Sequence, residues 1–159
     1  MKMKAKVMQA ISSIVRNHEL AEQVFCKIDQ AQALFAEGLN KSSSQQLQSR
    51  TLFFLRALLT SDGGDKKRAE LFEPAISFVA EKYIGDSTPP DLRELAVELL
   101  EQIWVQGRAP ATLVARKQAL IEFGQRRISA LQSLEGEEKD FAAIELEKWV
   151  SFMVALRRS

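Results

Sequence analysis

The sequence predicts an all-α fold of stacked helical repeats closed by a C-terminal helical cap, and three observations carry that expectation. Apolar residues recur at helical spacing, as in Val7, Met8, Ile11, Ile14 and Val15 and again in Leu52, Leu55, Leu58 and Leu59. No stretch shows the sustained alternation of a half-buried strand. Breakers punctuate the chain at Asn17-His18, Ser42-Ser43-Ser44, Ser61 to Gly64, Gly85 to Pro90, Gly107 to Pro110 and Gly136. The third observation is self-similarity. Moved forward by 44 residues, Val7, Met8, Ile11, Ile14 and Val15 land on Thr51, Leu52, Leu55, Leu58 and Leu59. Moved again, they land on Leu95, Ala96, Leu99, Gln102 and Ile103, so that Thr51 and Gln102 alone break the apolar pattern. Between these helices Leu34-Phe35-Ala36-Glu37 maps onto Phe78-Val79-Ala80-Glu81, and His18 to Phe25 maps onto Asp65 to Phe72 after an insertion at Gly63-Gly64.

A short, a medium and a long amphipathic helix repeating at this period form the armadillo or HEAT pattern, in which each layer buries its faces against its neighbours. In chain order, residues 1–16 are a partial repeat ending in a long helix over about 4–16. Residues 18–60 and 65–105 are two full repeats, the first with helices over about 18–25 and 45–59. Ser87 or Thr88 is expected to cap the long helix that opens with Pro89-Pro90, where Asp91 suits the helix dipole. Beyond 105 the period fails. Residues 111–134 are expected to be one long helix and 139–156 another, together a cap (111–159) with Arg126-Arg127 and Arg157-Arg158 turned to water. A chain that opens inside a repeat is also expected to lack an N-terminal half.

Composition narrows the function classes. The 159 residues carry 22 Lys+Arg against 21 Asp+Glu, a formal net charge of +1, with 46% hydrophobic residues, which suits a globular protein able to bury a core without metal or disulfide. So balanced a charge provides no broad cationic field for nucleic acid or anionic membrane. The apolar run Thr51 to Leu55 is far short of the ~20 residues of a membrane span. Met1 to Lys6 is basic like the start of a signal peptide, but Gln9, Ser12, Ser13 and Arg16 interrupt the apolar stretch after it, so the segment reads as a helix.

Residues that could carry chemistry are sparse. The single His18 lies at an interhelical loop without Cys or Asp at ligand or triad spacing, which makes it a capping residue. The single Cys26 follows Phe25 on an apolar face and reads as a small hydrophobe. Gly63-Gly64 lacks the Lys-Ser/Thr of a phosphate loop. Glu135, Glu137, Glu138 and Asp140 lack EF-hand spacing and read as a solvated loop. Asn40-Lys41-Ser42 is one N-glycosylation acceptor triplet, permissive of a secretory location. No cofactor, metal, catalytic group or small-molecule substrate is expected.

Surfaces remain. On the helix over 45–59 the core side centres on Leu55, so the opposite side holds Gln46, Arg50, Phe53 and Ala57. The repeat extends this strip to Gln9, Ser13 and Arg16 on one side and to Glu94, Val97, Glu101 and Trp104 on the other. Exposed aromatics beside arginines match the composition of protein interfaces; the competing reading covers Phe53 and Trp104 with adjacent helices.

The run Gln9-Ala10-Ile11-Ser12-Ser13-Ile14-Val15-Arg16-Asn17-His18, with Gln32-Ala33-Leu34-Phe35 and Leu52-Phe53-Phe54-Leu55 to Leu59, resembles armadillo-type nucleotide exchange factors of the 70-kDa heat-shock chaperones. That family shows an Ala-Leu-Ser-Ser-Leu-Leu-Arg-Asn-like run at this place. The end, Leu131-Gln132-Ser133-Leu134-Glu135-Gly136-Glu137-Glu138 and a last helix to Arg157, is more similar to the branch that serves the lumenal chaperone BiP than to the cytosolic one. The likeness lies in apolar and polar positions over most of the chain, and family members carry more repeats before this point.

The resemblance implies a co-chaperone without enzymatic activity, in the endoplasmic reticulum lumen or alternatively the cytoplasm. Such a factor grips one lobe of the chaperone's nucleotide-binding domain and tilts it, releasing ADP by preferring the open arrangement. Carried over by position, Arg16, Asn17, Arg50, Phe53, Glu94 and Trp104 are the expected contacts. The alternative is a scaffold holding an extended peptide in the same groove. Such scaffolds repeat an Asn at the end of each long helix, whereas Asn17 maps onto Ser61 and Val105.

Overall fold

The computed structural model describes residues 2–40 and 44–158. All regular structure among them is helical: α1 (Lys2–Val15), α2 (Glu19–Cys26), α3 (Ala31–Leu39), α4 (Gln45–Thr60), α5 (Lys66–Leu71), α6 (Glu73–Phe78), α7 (Pro90–Val105), α8 (Ala111–Ala115), α9 (Lys117–Gln132) and α10 (Gly136–Arg158), with a π-helical turn over Val79–Tyr83 after α6. None of these helices is long and apolar enough to cross a membrane. Lys41 and Ser42 of the glycosylation triplet lie outside the described residues.

Side chains and backbone set most boundaries locally. His18 Nδ1 accepts the Ala21 N–H (3.2 Å) at the start of α2, Ser44 Oγ accepts the Leu47 N–H (3.3 Å) at α4, and Asp65 accepts the Arg68 N–H (2.8 Å) at α5, each satisfying a donor that the first turn leaves unpaired. Asn17 ends α1 with a left-handed φ of 62°. Gly107 (φ 67°) ends α7 with a Schellman pair: its own N–H reaches Trp104 O at 3.0 Å, and the Arg108 N–H reaches Ile103 O at 2.8 Å. The α7 start differs from expectation, because Pro89 occupies the cap position without a side-chain bond. Thr88 instead turns inward and donates to Lys82 O at 2.8 Å.

The long helices pack in sequence, α1 on α4, α4 on α7 and α7 on α10. One core runs through them from Ala5 to Leu156. Leu55 and Leu99 are fully buried, whereas Ile11, their equivalent under the repeat, is only partly so. Phe25, Phe35, Phe54 and Phe72 form an aromatic knot joining α2, α3, α4 and the α5–α6 junction, with ring centroids 5.2–6.2 Å apart. From the π turn, Tyr83 donates to Leu39 O (2.8 Å) at the end of α3, and burial pushes its phenol up to about 12.

Past residue 105 the structure corrects three expectations. Residues 111–134 are not one helix: the chain breaks at Arg116, giving a short α8 and a 16-residue α9, as long as α4 and α7, before the 23-residue α10. Glu137, Glu138 and Asp140 lie in the opening of α10 rather than in a loop, and acids at a helix N-terminus are favoured by its dipole. Arg127 does not face water. With Arg93 it grips the buried Glu145, and both guanidiniums pair with the two carboxylate oxygens.

Gly38 sets how closely α3 approaches α4. A Cβ there would lie 2.2 Å from Thr51 Oγ1 and 2.9 Å from Thr51 Cβ, and Thr51 is fully buried with its hydroxyl donating to Leu47 O at 2.7 Å. Gly38→Ala should destabilise by about 1–3 kcal/mol through overpacking, despite a gain of up to ~1 kcal/mol in helix propensity. Urea denaturation would read this as a lowered midpoint, and adding Thr51→Ala should recover only part of the loss, because it removes Oγ1 and Cγ2 but keeps the Cβ at 2.9 Å.

Candidate protein-interaction face

The exposed edges of the long helices form one surface. Phe53 projects from the middle of α4 with 36% exposure. Its ring lies between two guanidiniums, Arg16 just after α1 at 5.0 Å and Arg56 of α4 at 5.2 Å from the centroid. Arg56 pairs with Glu98 of α7 at 2.8 Å, and Glu98 pairs with Lys148 of α10 at 2.8 Å. A continuous string, Arg16–Phe53–Arg56–Glu98–Lys148, thus runs from the end of α1 across α4 and α7 to α10. Each link is partly solvated, and such cation–π contacts and ion pairs contribute only ~0–1 kcal/mol apiece to stability.

Beside the string, Ser13, Arg16, Ser49, Arg50, Phe53 and Leu95 line a cleft of 320 Å³. Ser12 also lines it; its hydroxyl is buried and makes no hydrogen bond. Further along the row, Glu98, Glu101, Val105, Ile144, Glu147 and Lys148 line a second hollow of 370 Å³, and Ser151 donates to Glu101. Charge is segregated along the row. Arg16, Arg50 and Arg56 mark the α1–α4 end, and Glu98, Glu101 and Glu147 mark the α7–α10 end, with Lys148 among them.

Of the six contacts expected from the sequence, the structure brings Arg16, Arg50 and Phe53 together around the first cleft. Asn17 is exposed in the following turn, where its backbone N–H donates to Glu22 Oε1 at 3.2 Å. Glu94 is partly exposed near the α10 ion network, and its carboxyl is raised by desolvation first and then by Asp91 and Glu145. Trp104 is corrected: it is 8% exposed and stacks edge-on against Phe152 of α10 at 6.5 Å. Val97, expected on the same strip, is fully buried. The cover is α10, and the open edge of α7 runs through Leu95, Glu98, Gln102 and Val105, one residue or about 100° round the helix from the expected strip. Arg56 and Glu98 were missed because the repeat sets no charge at their equivalents, and Lys148 because it lies beyond the repeat. Of the three, only Arg56, next to the centre of the α4 core face, showed any signal in being charged there.

Elsewhere, His18 spends Nδ1 on its cap, and burial pushes the Cys26 thiol up. Among the described residues no group of three His, Cys, Asp or Glu is placed to hold a metal ion. Comparison with protein-family models, with curated proteins and with solved structures gives no match to this chain.

Proposed function

We propose that the chain is a co-chaperone of the armadillo type, a layered helical stack whose row of long helices grips a folded partner, the nucleotide-binding domain of a 70-kDa heat-shock chaperone, and promotes ADP release. The observation that carries the gripping face is the Arg16–Phe53–Arg56 clamp. It is an exposed aromatic held rigid between two arginines, and aromatic and arginine anchors dominate interface energies. The string that holds it adds little to stability, and its charge segregation would orient a partner of complementary polarity. The choice of partner rests on the resemblance of residues 9–18, 32–35 and 52–59 to the exchange factors, as does location in the endoplasmic reticulum lumen or the cytoplasm. An extended-peptide ligand is disfavoured by Ser61. At the position equivalent to Asn17, its hydroxyl is already engaged by Glu22 (2.6 Å) and Arg68 (3.0 Å).

Replacing Arg50 and Phe53 together by Ala should weaken chaperone binding by about 2 kcal/mol, roughly 30-fold, while costing about 1–2 kcal/mol of folding stability, because the half-covered Phe53 ring leaves two cation–π contacts. Titration calorimetry against lumenal and cytosolic chaperone nucleotide-binding domains would read the first, and urea denaturation the second. Release of a fluorescent ADP analogue should slow toward its unassisted rate. An unmutated chain that binds neither domain defeats the chaperone reading, and a double variant that binds and exchanges as well as its parent defeats the face.

A further inference from the structure

Two arginines differ from the rest. Among the described residues, the other partly or fully buried arginines are all engaged: Arg56, Arg68, Arg93, Arg116 and Arg127 pair with acids, and Arg108 takes two backbone carbonyls. Arg16 and Arg50 are partly buried as well, yet neither guanidinium has an acid or a carbonyl among the described residues. Both line the same 320 Å³ cleft, where Arg16 lies over the Phe53 ring.

The cleft is lined by a third unspent donor. Ser12 is 5% exposed, and its hydroxyl makes no hydrogen bond. A serine on a helix can turn back onto the carbonyl four residues earlier, as Ser13 does onto Gln9 O at 2.8 Å; Ser12 does not. A buried hydroxyl left in this state is costly, and an incoming acceptor would relieve it. No acidic side chain lines the cleft. Glu94, next to the lining residue Leu95 in the chain, lies in the field of Asp91, Glu145, Lys148 and Arg93.

The chain itself shows what such donors hold. Two arginines meet on one carboxylate at Glu145, with four N–H bonds of 2.8–3.1 Å. An arginine and a serine hydroxyl meet on another at Glu22, whose Oε2 accepts from Arg68 at 2.7 Å and from Ser61 at 2.6 Å. Arg16, Arg50 and Ser12 supply the donors of both patterns at once, and charge-assisted bonds of this kind are the strong ones. Phe53 and Leu95, on the same wall, offer apolar surface to the methylenes of an acid.

We propose that the cleft is a seat for one acidic side chain of the protein partner, a glutamate or aspartate whose carboxylate pairs with Arg16 and Arg50 and accepts the Ser12 hydroxyl. This deepens, and rests on, the reading of the Arg16–Phe53 face as the gripping surface.

The probes are N-acetyl-glutamic acid with its main-chain carboxyl amidated, the matching glutamine compound, and inorganic phosphate. Each is titrated at low salt into the full isotope-labelled chain, and the Nε–H resonances of Arg16 and Arg50 are followed. Saturable shifts at millimolar concentration are expected with the glutamate compound and not with the glutamine compound. Arg50→Gln should weaken binding by about tenfold or more, and Ser12→Ala by about threefold or more. Because Ser12→Ala removes a hydroxyl without a partner in the free protein, its melting curve should match or exceed that of the parent. The proposal is overturned if the glutamate compound does not saturate, if the glutamine compound shifts the same resonances equally, or if Ser12→Ala leaves the affinity unchanged. Saturation by phosphate alone would overturn it too, by assigning the cleft to a phosphoryl group. Chaperone binding measured alongside keeps the two readings apart. A chain that grips the chaperone but ignores the carboxylate loses the seat and keeps the face, whereas one that takes the carboxylate but no chaperone keeps the seat and loses that partner.

Discussion

Glu145→Gln should destabilise the protein by about 3–5 kcal/mol, the usual cost of stripping one partner from a buried ion network. Glu145 is 1% exposed and Arg93 7%. Arg93 holds the carboxylate with Nε at 3.0 Å and Nη2 at 2.9 Å, and Arg127 holds it with Nε at 2.8 Å and Nη2 at 3.1 Å. Arg93 also donates to Thr88 O, and Arg127 reaches Asp86 at 2.7 Å. An amide in place of the carboxylate would leave two guanidiniums facing a group that cancels neither charge. Thermal melting should drop by roughly 10 °C for a chain of this size. Replacing all three members by apolar residues of similar volume should cost far less, because the desolvation of the charges then disappears with them.

The same site sets a pH dependence. Burial acts to raise the Glu145 carboxyl, but the hydrogen bonds and charges of Arg127 and Arg93 outweigh it and hold the group below its ordinary value. A depressed carboxylate contributes stability above its unfolded value of about 4.3 and loses it as pH falls through the folded value. Stability of the parent protein should therefore decline on acidification below about pH 5, and Glu145→Gln should flatten that limb. Denaturant midpoints collected from pH 7 to pH 3 would test both statements.

Phe35→Ala is expected to cost about 3–5 kcal/mol as a large-to-small change in a packed core. Phe35 is fully buried and touches Phe25, Phe54 and Phe72, so one truncation loosens α2, α3, α4 and the α5–α6 junction together. Phe35→Leu, which keeps most of the volume, should cost markedly less. Guanidinium unfolding followed by circular dichroism would separate the two, and equal losses would show that the four rings do not share one packed cluster.

What the sequence revealed and what it concealed divide along physical lines. Helix class, the α2 and α4 spans and the cap at His18 depend on neighbours in the chain, and these were legible. Residues 111–134 misled because the apolar pattern runs unbroken through Arg116, where no Gly or Pro announces the break between α8 and α9. Trp104 misled because its cover comes from α10, whose sequence does not follow the repeat. The inward turn of Arg127 depends on Glu145 and Asp86, partners that no local spacing identifies. Of the candidate face, Arg16, Arg50 and Phe53 could be read from helical geometry. Arg56, Glu98 and Lys148 gained their place only when three separate helices were packed side by side.

The junction after α4 bears on how the molecule comes apart. Glu22 of α2 and Arg68 of α5 are paired at 2.7 Å, and both reach Ser61. Arg68 also takes Leu58 O, and Arg108 takes Leu59 O and Ser61 O, each at 2.8–2.9 Å. In a row of helices packed each on the next, as α1, α4, α7 and α10 are, fraying would normally proceed one helix at a time. Here, peeling α2 away would strand a buried arginine against the end of α4, and releasing the end of α4 would free guanidiniums from beyond both α4 and α7. α2, the end of α4, α5 and the segment after α7 are thereby tied together. The region from α2 to the start of α8 should open as a single cooperative unit, with amide exchange rates in α2, α4 and α5 converging on one opening free energy rather than forming a graded series.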